Sequence, residues 1–415
     1  MFRPLPQTTV LPGNLLSETA PELASTNFTI LLTTPGSIVP IEPLELPPIS
    51  EAGTYVISGG FGGFGSAVAR QLVRHGARHL ALLGRRGLGD PYAKAFVAEL
   101  QALGVSVVAP PCDIADPEQL SAAFDLIAAT LPPVRGVIHS AAVLADAPLL
   151  RVTEQDFRRA MLPKALGAWN LHNATSNCPL EFFVLFSSIS SLVGNSGQTN
   201  YVAANCYLDA LAWHRRAAGL PATSINWGAI ADVGIVTRDA TLQKHLEYTG
   251  LVAMPVADAL YAFDKLLNKR LTQVCVAEAN WQQWARYEVK GGKSSRFAGL
   301  IGDSISNDEE ARHLSLRAKL LGVEPQDRQE VLAYILAEIF GNELKMAVEE
   351  VDIHRPFNRM GVDSLMAVGL QLGIESILGA RVSALELVGD LTICDIASKC
   401  LGQLDIPTIP VAAAA

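Results

Sequence analysis

The chain has 415 residues, 49% of them hydrophobic and 18% charged, with a formal net charge of −9. That length exceeds one ordinary core, so two or more globular domains are expected, and the composition excludes a disordered chain. The acidic balance argues against a nucleic-acid partner, and no apolar run is long enough to span a membrane. Six cysteines without metal-site or disulfide-framework spacing fit reduced thiols in a soluble cytoplasmic protein.

Residues 1–50 are rich in proline and carry few periodic runs, which reads as a linker or the end of an upstream element. From 51 to 290, short apolar runs alternate with helix-length amphipathic stretches. Strands are expected at 55–58, 79–83, 105–109, 136–139, 182–187, 222–226 and 273–276, with helices such as 66–75, 91–103 and 117–130 between them. This alternation predicts an α/β domain with a doubly wound parallel sheet of Rossmann type. Residues 291–327 turn polar and charged, a second linker. Residues 328–405 read as helix, with Val331, Ile335 and Ile339 at helical spacing, and suffice for a small all-α bundle of four-helix type. Residues 406–415 form a tail.

The run Ser58-Gly-Gly-Phe-Gly-Gly-Phe-Gly65 follows a predicted strand and opens a predicted helix, the context that makes a glycine pattern a dinucleotide site. Gly60 would allow the tight turn, Gly62 the close approach of backbone to pyrophosphate, and Gly65 the packing of helix on strand; Phe61, Gly63 and Phe64 complete the loop. The next strand ends Leu82-Leu83-Gly84-Arg85-Arg86, with no carboxylate to hold ribose hydroxyls. Arginine there suits a 2′-phosphate and favours NADPH over NADH. Asp113, after the third strand, either touches the adenine or caps a helix; Asp116 is better placed as the cap.

Ser188, Tyr201 and Asn205 form the candidate reaction centre. Hydride delivery to a ketone needs a proton on the carbonyl oxygen, which a tyrosine supplies when a cation stabilises its phenolate, while a serine hydroxyl polarises the same oxygen. Asn205 lies one helical turn beyond Tyr201 on the same face. Together with the glycine loop, these residues resemble the short-chain dehydrogenase/reductase superfamily. Most members place lysine four residues after the tyrosine, where this chain has asparagine. The branch that exchanges those roles is the ketoreductase domain of type I polyketide and fatty acid synthases, which carries its lysine upstream, as in Pro163-Lys-Ala-Leu-Gly167. The runs Gly197-Gln-Thr-Asn-Tyr-Val-Ala-Ala-Asn205 and Ser224-Ile-Asn-Trp-Gly228 are similar to that branch as well. The resemblance implies Lys164 as a fourth catalytic residue and adds Ile114, Ser140 and Ala141 to the cofactor set.

In the second domain, Gly361-Val-Asp-Ser-Leu365 resembles the acyl carrier protein signature, whose serine accepts a 4′-phosphopantetheine arm; here that residue is Ser364. Over 328–405, twelve carboxylates against six Lys/Arg give −6, an acidic surface suited to docking on basic patches. Polyketide ketoreductases sort by stereochemistry: one type carries Leu-Asp-Asp after the fourth strand, the other a tryptophan eight residues before the tyrosine. This chain has Leu144-Ala145-Asp146 and, at the tryptophan place, Val193. Asp146 therefore points to a D-configured β-hydroxyl. The resemblance further implies a β-ketoacyl thioester substrate, a phosphopantetheinyl transferase, and partner domains of a larger synthase: ketosynthase, acyltransferase, dehydratase, enoylreductase and a cofactor-free structural half of the ketoreductase. It also implies a dimer formed through the parent synthase. Met1-Phe-Arg-Pro-Leu-Pro6 resembles the close of an enoylreductase domain.

Overall fold

The computed structural model describes residues 49–195, 197–233, 249–269, 271–287, 318–344, 346–362 and 364–404, two short strands nearer the N-terminus, and the single positions 246, 297 and 316. The chain divides into two units, Met1–Asn280 and Trp281–Ala415.

The apolar runs of the first unit become strands β1 (Thr9–Pro12), β2 (Thr29–Thr33), β3 (Thr54–Ser58), β4 (His79–Leu83), β5 (Ser106–Val108), β6 (Val134–His139), β7 (Phe182–Ser188), β8 (Thr223–Trp227), β9 (Leu251–Val252) and β10 (Gln273–Ala279). They pair in the order β1-β2-β10-β8-β7-β6-β3-β4-β5, parallel throughout, with only β9 antiparallel on β10. The helices of this unit are α1 (Gly63–Arg74), α2 (Pro91–Ala102), α3 (Pro117–Thr130), α4 (Glu154–Met161), α5 (Gly167–Ala174), α6 (Ser190–Val193), α7 (Thr199–Ala217) and α8 (Val256–Leu267). Strand alternation splits the core in two. Tyr55, Ile57, Leu80, Leu82, Val184, Phe186, Ile225 and Trp227 face α1, α2 and α8, which supply Val68, Leu72, Phe96 and Phe263. Val56, Ala81, Leu83, Val137, Phe183 and Leu185 face α3, α5 and α7, which supply Leu120, Leu171 and Leu208. A strand buried on both faces reads as a continuous apolar run, and β3 is buried along its whole length. Sequence order reverses between β3 and β6, and ligands of doubly wound sheets bind beyond the strand ends at such a point.

Three boundaries differ from the sequence expectation. The segment 1–50 carries β1 and β2, which extend the sheet beyond β10. The run Thr29-Ile-Leu-Leu-Thr33 has strand propensity, and proline at the end of β1 is tolerated because that strand is the sheet edge. The first unit ends at Asn280 rather than at 290, and in the second unit Trp281 stacks on Phe297 while Trp284 meets both rings edge to face. Leu316 and Leu320, expected in a linker, are buried in the core of that second unit. The tail 406–415 lies outside the described residues, as does most of 291–315.

The second unit contains α9 (Trp281–Tyr287), α10 (Arg328–Leu344), α11 (Phe357–Met360), α12 (Ser364–Leu378) and α13 (Ile393–Leu401). Leu332, Leu336, Phe340, Leu370, Ile374, Ile393 and Ile396 fill its core, with Phe340 stacked on Phe357 at 5.1 Å. Thr392 and Asp395 form a capping box that starts α13.

Candidate active site

From Ser58 the chain must turn sharply to start α1. Sequence spacing assigns the turn to Gly60, but in the fold Gly59 takes the left-handed conformation, φ +73, where an L side chain is strained. Gly62 N–H donates to the Gly59 carbonyl at 2.8 Å. A Cβ on Gly65 would collide with that same carbonyl and stand 2.8 Å from Ser140 Oγ, so the predicted close packing at Gly65 holds. Phe61 lies over Gly84, and Phe64 packs against Phe186 and Trp227 with centroids 5.2 and 5.1 Å apart, which anchors the loop. Ser140 N–H and Oγ both donate to the Ser58 carbonyl, at 3.0 and 2.8 Å, and the Ala141 backbone abuts Gly59. No side chain caps α1, so its first N–H groups, at the positive end of the helix dipole, have no side-chain cap, a helix end of the kind that suits a phosphate.

Beyond the loop, Arg85 and Asp113 line a cleft of about 570 Å³ together with Val143, Arg159 and Leu162. Arg86 instead pairs with Asp90, the N-cap of α2, at 2.9 Å, and does not line that cleft. Asp116 caps α3, as expected, while Asp113 accepts from Ala115 N–H at 3.0 Å within its own turn. The Ile114 side chain is buried in the core against Gly167, and its carbonyl accepts from Asn170 Nδ2 at 3.0 Å. These residues fit a dinucleotide: an uncapped helix end, a close-approach glycine loop, and an arginine with no acid at the second strand end.

The reaction centre assembles from three elements. After α4 the chain makes a π-turn, Leu162–Leu166, where Pro163 has no N–H to give an α-helical bond. That wide turn directs Lys164 inward, only 2% exposed. Its Nζ donates to the Phe186 carbonyl at 2.7 Å and sits 5.3 Å from the centroid of the Tyr201 ring. Burial pushes the Lys164 ammonium down to about 7, while the charge of Asp209 opposes the fall. Beneath it His139 joins Ser58 Oγ at 2.6 Å and the Lys164 carbonyl at 3.2 Å. A carbonyl only accepts, so Nε2 carries the hydrogen and the Ser58 hydroxyl donates to Nδ1. Burial drives His139 down to about 3, which keeps it neutral.

Tyr201 is the third residue of α7 and is half-buried; Asn205, one turn on, is fully buried and donates from Nδ2 to the Tyr201 carbonyl at 2.9 Å. Burial raises the phenol pKa; the Asn205 and Ser188 side chains facing it pull it back, and the Asp146 charge adds to the rise. Ser188 ends β7 and its Oγ accepts from Ser190 N–H at 3.2 Å. Exposed Asp146 accepts from Gln198 Nε2 at 2.7 Å, and the Ala145 carbonyl accepts from Asn200 Nδ2 at 2.7 Å, which ties the 145–146 loop to the start of α7. Ser188, Tyr201, Asn205, Lys164 and Asp146 therefore meet at one place. Ser364 belongs to the other unit, as the first residue of α12, reached through Gly361 at φ +79, the left-handed residue that ends α11. Sequence reasoning missed Gly59, Gln198, Asn200 and His139, polar or glycine positions whose partners lie far away in the chain.

Comparison with known proteins bears on this arrangement. Residues 53–232 match the KR domain family and residues 335–399 the phosphopantetheine attachment site family. The chain joins a KR domain to a phosphopantetheine attachment domain, and its relatives are polyketide synthases. It is 32% identical over 403 residues to the highly reducing polyketide synthase Preu1 of Preussia isomera, covering 89% of this chain and 16% of that protein. It is 38% identical over 357 residues to a mycoketide-CoA synthase of Mycobacterium tuberculosis, covering 81% of this chain and 8% of that one. The chain thus spans less than a fifth of these relatives. A solved structure described as A-type ketoreductases from a modular polyketide synthase aligns at TM-score 0.53 and 39% identity, over 60% of this chain and 51% of that one. Lys164, Ser188, Tyr201 and Asn205 all fall inside the ketoreductase match, and Ser364 inside the carrier match. No described helix is long and apolar enough to cross a membrane.

Proposed function

We propose that this polyketide synthase chain reduces the β-ketone of an acyl group, thioesterified to 4′-phosphopantetheine on Ser364, to the β-hydroxyacyl thioester, with NADPH as reductant. When bound, NADPH supplies the hydride that reaches the carbonyl carbon. The glycine loop, Gly60–Gly65 with Phe61, Gly62, Gly63 and Phe64, would seat the pyrophosphate, Arg85 the 2′-phosphate, and Asp113, Ile114, Ser140 and Ala141 the remaining edge. Tyr201 gives its phenolic proton to the carbonyl oxygen, Ser188 Oγ donates a hydrogen bond to that oxygen, and the Lys164 ammonium stabilises the phenolate left behind. Asn205 holds the first turn of α7 and relays the replacement proton. Asp146 at the groove rim steers the pantetheine arm from one side, which presents one ketone face and gives the D-alcohol.

One observation carries this reading. A lysine from the α4–α5 turn is buried against the ring of a tyrosine on α7, although burying an ammonium is costly and no packing need calls for it. The chain would act in the cytoplasm, within a synthase that dimerises and supplies ketosynthase, acyltransferase, dehydratase, enoylreductase and the structural half of the ketoreductase. A phosphopantetheinyl transferase would load Ser364.

The test is cofactor oxidation with a β-ketodiketide thioester, the product resolved by chiral chromatography. NADPH should be consumed in preference to NADH, with the D-alcohol dominant. Equal use of both cofactors would remove Arg85 from its role, L product would remove Asp146 from its role, and no oxidation at all would overturn the activity.

A further inference from the structure

Resting on the ketoreductase reading, a further group stands behind the catalytic residues. Tyr201, Asn205 and Asp209 follow at intervals of four on one face of α7, and Asp209 is buried. A carboxylate there must be met by donors. Ser224 Oγ donates to it at 2.6 Å from β8, and Asn226 Nδ2 at 2.9 Å from the same strand. Ser191 Oγ donates at 2.7 Å from the turn that follows Ser188. Asn226 Nδ2 also reaches Ser191 Oγ at 2.7 Å and Ser187 Oγ at 3.1 Å, and Ser187 Oγ lies 3.3 Å from the Asn205 carbonyl as its donor. The hydroxyls on both sides of Ser188 are thus fastened to the helix that carries Tyr201. Its three hydrogen-bonding partners, Ser191, Ser224 and Asn226, are neutral, and the cation on which its charge acts is Lys164.

We propose that Asp209 is a positioning residue of the reduction: its carboxylate clamps the 187–191 turn to α7, holding Ser188 in register with Tyr201, and provides the negative charge that keeps Lys164 protonated. The groups that face Lys164 are few. His139 lies beneath it from β6, the Tyr201 ring meets it from α7, Asp209 acts on it through its charge from the same helix, and from β7 the Phe186 carbonyl accepts from it. His139 is held neutral by burial and the tyrosine proton is held by burial, which leaves Asp209 as the negative charge acting on Lys164. The other titratable group under the influence of Asp209 is the Cys275 thiol on β10, which burial and that carboxylate raise.

The experiment uses the full chain carrying Asp209→Asn, Asp209→Glu or Ser191→Ala, with two readouts. The first is the titration of Lys164 by NMR of side-chain-labelled lysine, its signal identified by loss in Lys164→Arg. Asp209→Asn should lower that midpoint by about one pH unit, because the favourable charge is gone. Asp209→Glu should restore it. The second readout is kcat. Asp209→Asn and Ser191→Ala should each lower it about 10- to 100-fold, the scale of a small misplacement of reacting groups, with KM for NADPH little changed. Ser191→Ala should leave the Lys164 midpoint where it is. A merely structural role for Asp209 would cost stability without moving that midpoint. An unmoved Lys164 midpoint in Asp209→Asn overturns the charge role, and an undiminished kcat in Ser191→Ala overturns the clamp. Should Asp209→Asn not fold, Ser191→Ala still decides the clamp, and a Lys164 midpoint in Asp209→Glu that departs from the wild-type value overturns the charge role. A wild-type chain that does not consume NADPH overturns the ketoreductase reading, while the NMR arm still reads the hold of Asp209 on Lys164.

Discussion

In the proposed reduction, Tyr201 and Lys164 divide the proton chemistry between them. The phenol is held above its usual pKa by burial, so it stays protonated through the neutral range and can act as a donor. Lys164 is held down to about 7, so it is an ammonium below that pH and loses its charge as pH rises through it. Because only the cationic form stabilises a phenolate, kcat should fall on the alkaline side of neutrality, and the limb belongs to Lys164 rather than to Tyr201. A pH profile of kcat checks this; a flat profile from pH 6 to 9 contradicts the assignment. Tyr201→Phe should leave NADPH binding near normal by fluorescence titration and lower ketone reduction by about 100-fold or more, the scale of a lost general acid. At this scale the sequence is partly legible. Tyr201 and Asn205 share a face by spacing alone. Lys164 lies far upstream of Tyr201, and nothing local joins them; resemblance supplied the pairing and the fold supplied the contact. Gly59 escaped notice because four further glycines stand in the same run, and only the backbone path decides which takes positive φ.

At the scale of elements, parallel strands are the most readable feature. β3, β4, β7 and β8 are short runs of apolar and β-branched residues between helix-length stretches, because both of their faces are covered. The π-turn at Leu162–Leu166 leaves no such mark: a single wide turn does not disturb an apolar period that spans so few residues. β1 was hidden by its own proline, which an edge strand tolerates and a central strand does not, and β2 by the prolines in the sequence on either side of it. The junction of β3 and α1 is the tightest contact between elements at the site. A methyl group on Gly65 would meet the Gly59 carbonyl and Ser140 Oγ, both part of the wall proposed to seat the phosphates. Gly65→Ala should therefore destabilise the first unit by about 1–3 kcal/mol, as overpacking does, and weaken NADPH binding as well. Thermal melts and cofactor titration check both effects; an unchanged melt would mean that α1 can shift away from β3 at no cost.

Over the whole molecule, the two proposed chemistries fall in two different units. Each has its own buried core, one in two layers about the sheet and one in a helical cluster. The carrier segment 328–405, with twelve carboxylates against six Lys/Arg, holds −6 of the net −9. Ser364→Ala should abolish modification by a phosphopantetheinyl transferase and leave reduction of a diffusible ketothioester intact, as mass spectrometry and NADPH oxidation would report. Loss of both activities would contradict their independence. The central claim is that the group around Tyr201 reduces a ketone carried on Ser364, and the most direct measurement is intact-protein mass. The carrier is loaded with a β-ketoacyl pantetheine arm, NADPH is added, and the mass of the chain is followed. The account predicts a gain of two hydrogens in the wild-type chain, strongly slowed in Tyr201→Phe. A loaded chain whose mass does not change, or a Tyr201→Phe chain that gains the two hydrogens as fast as wild type, would contradict it.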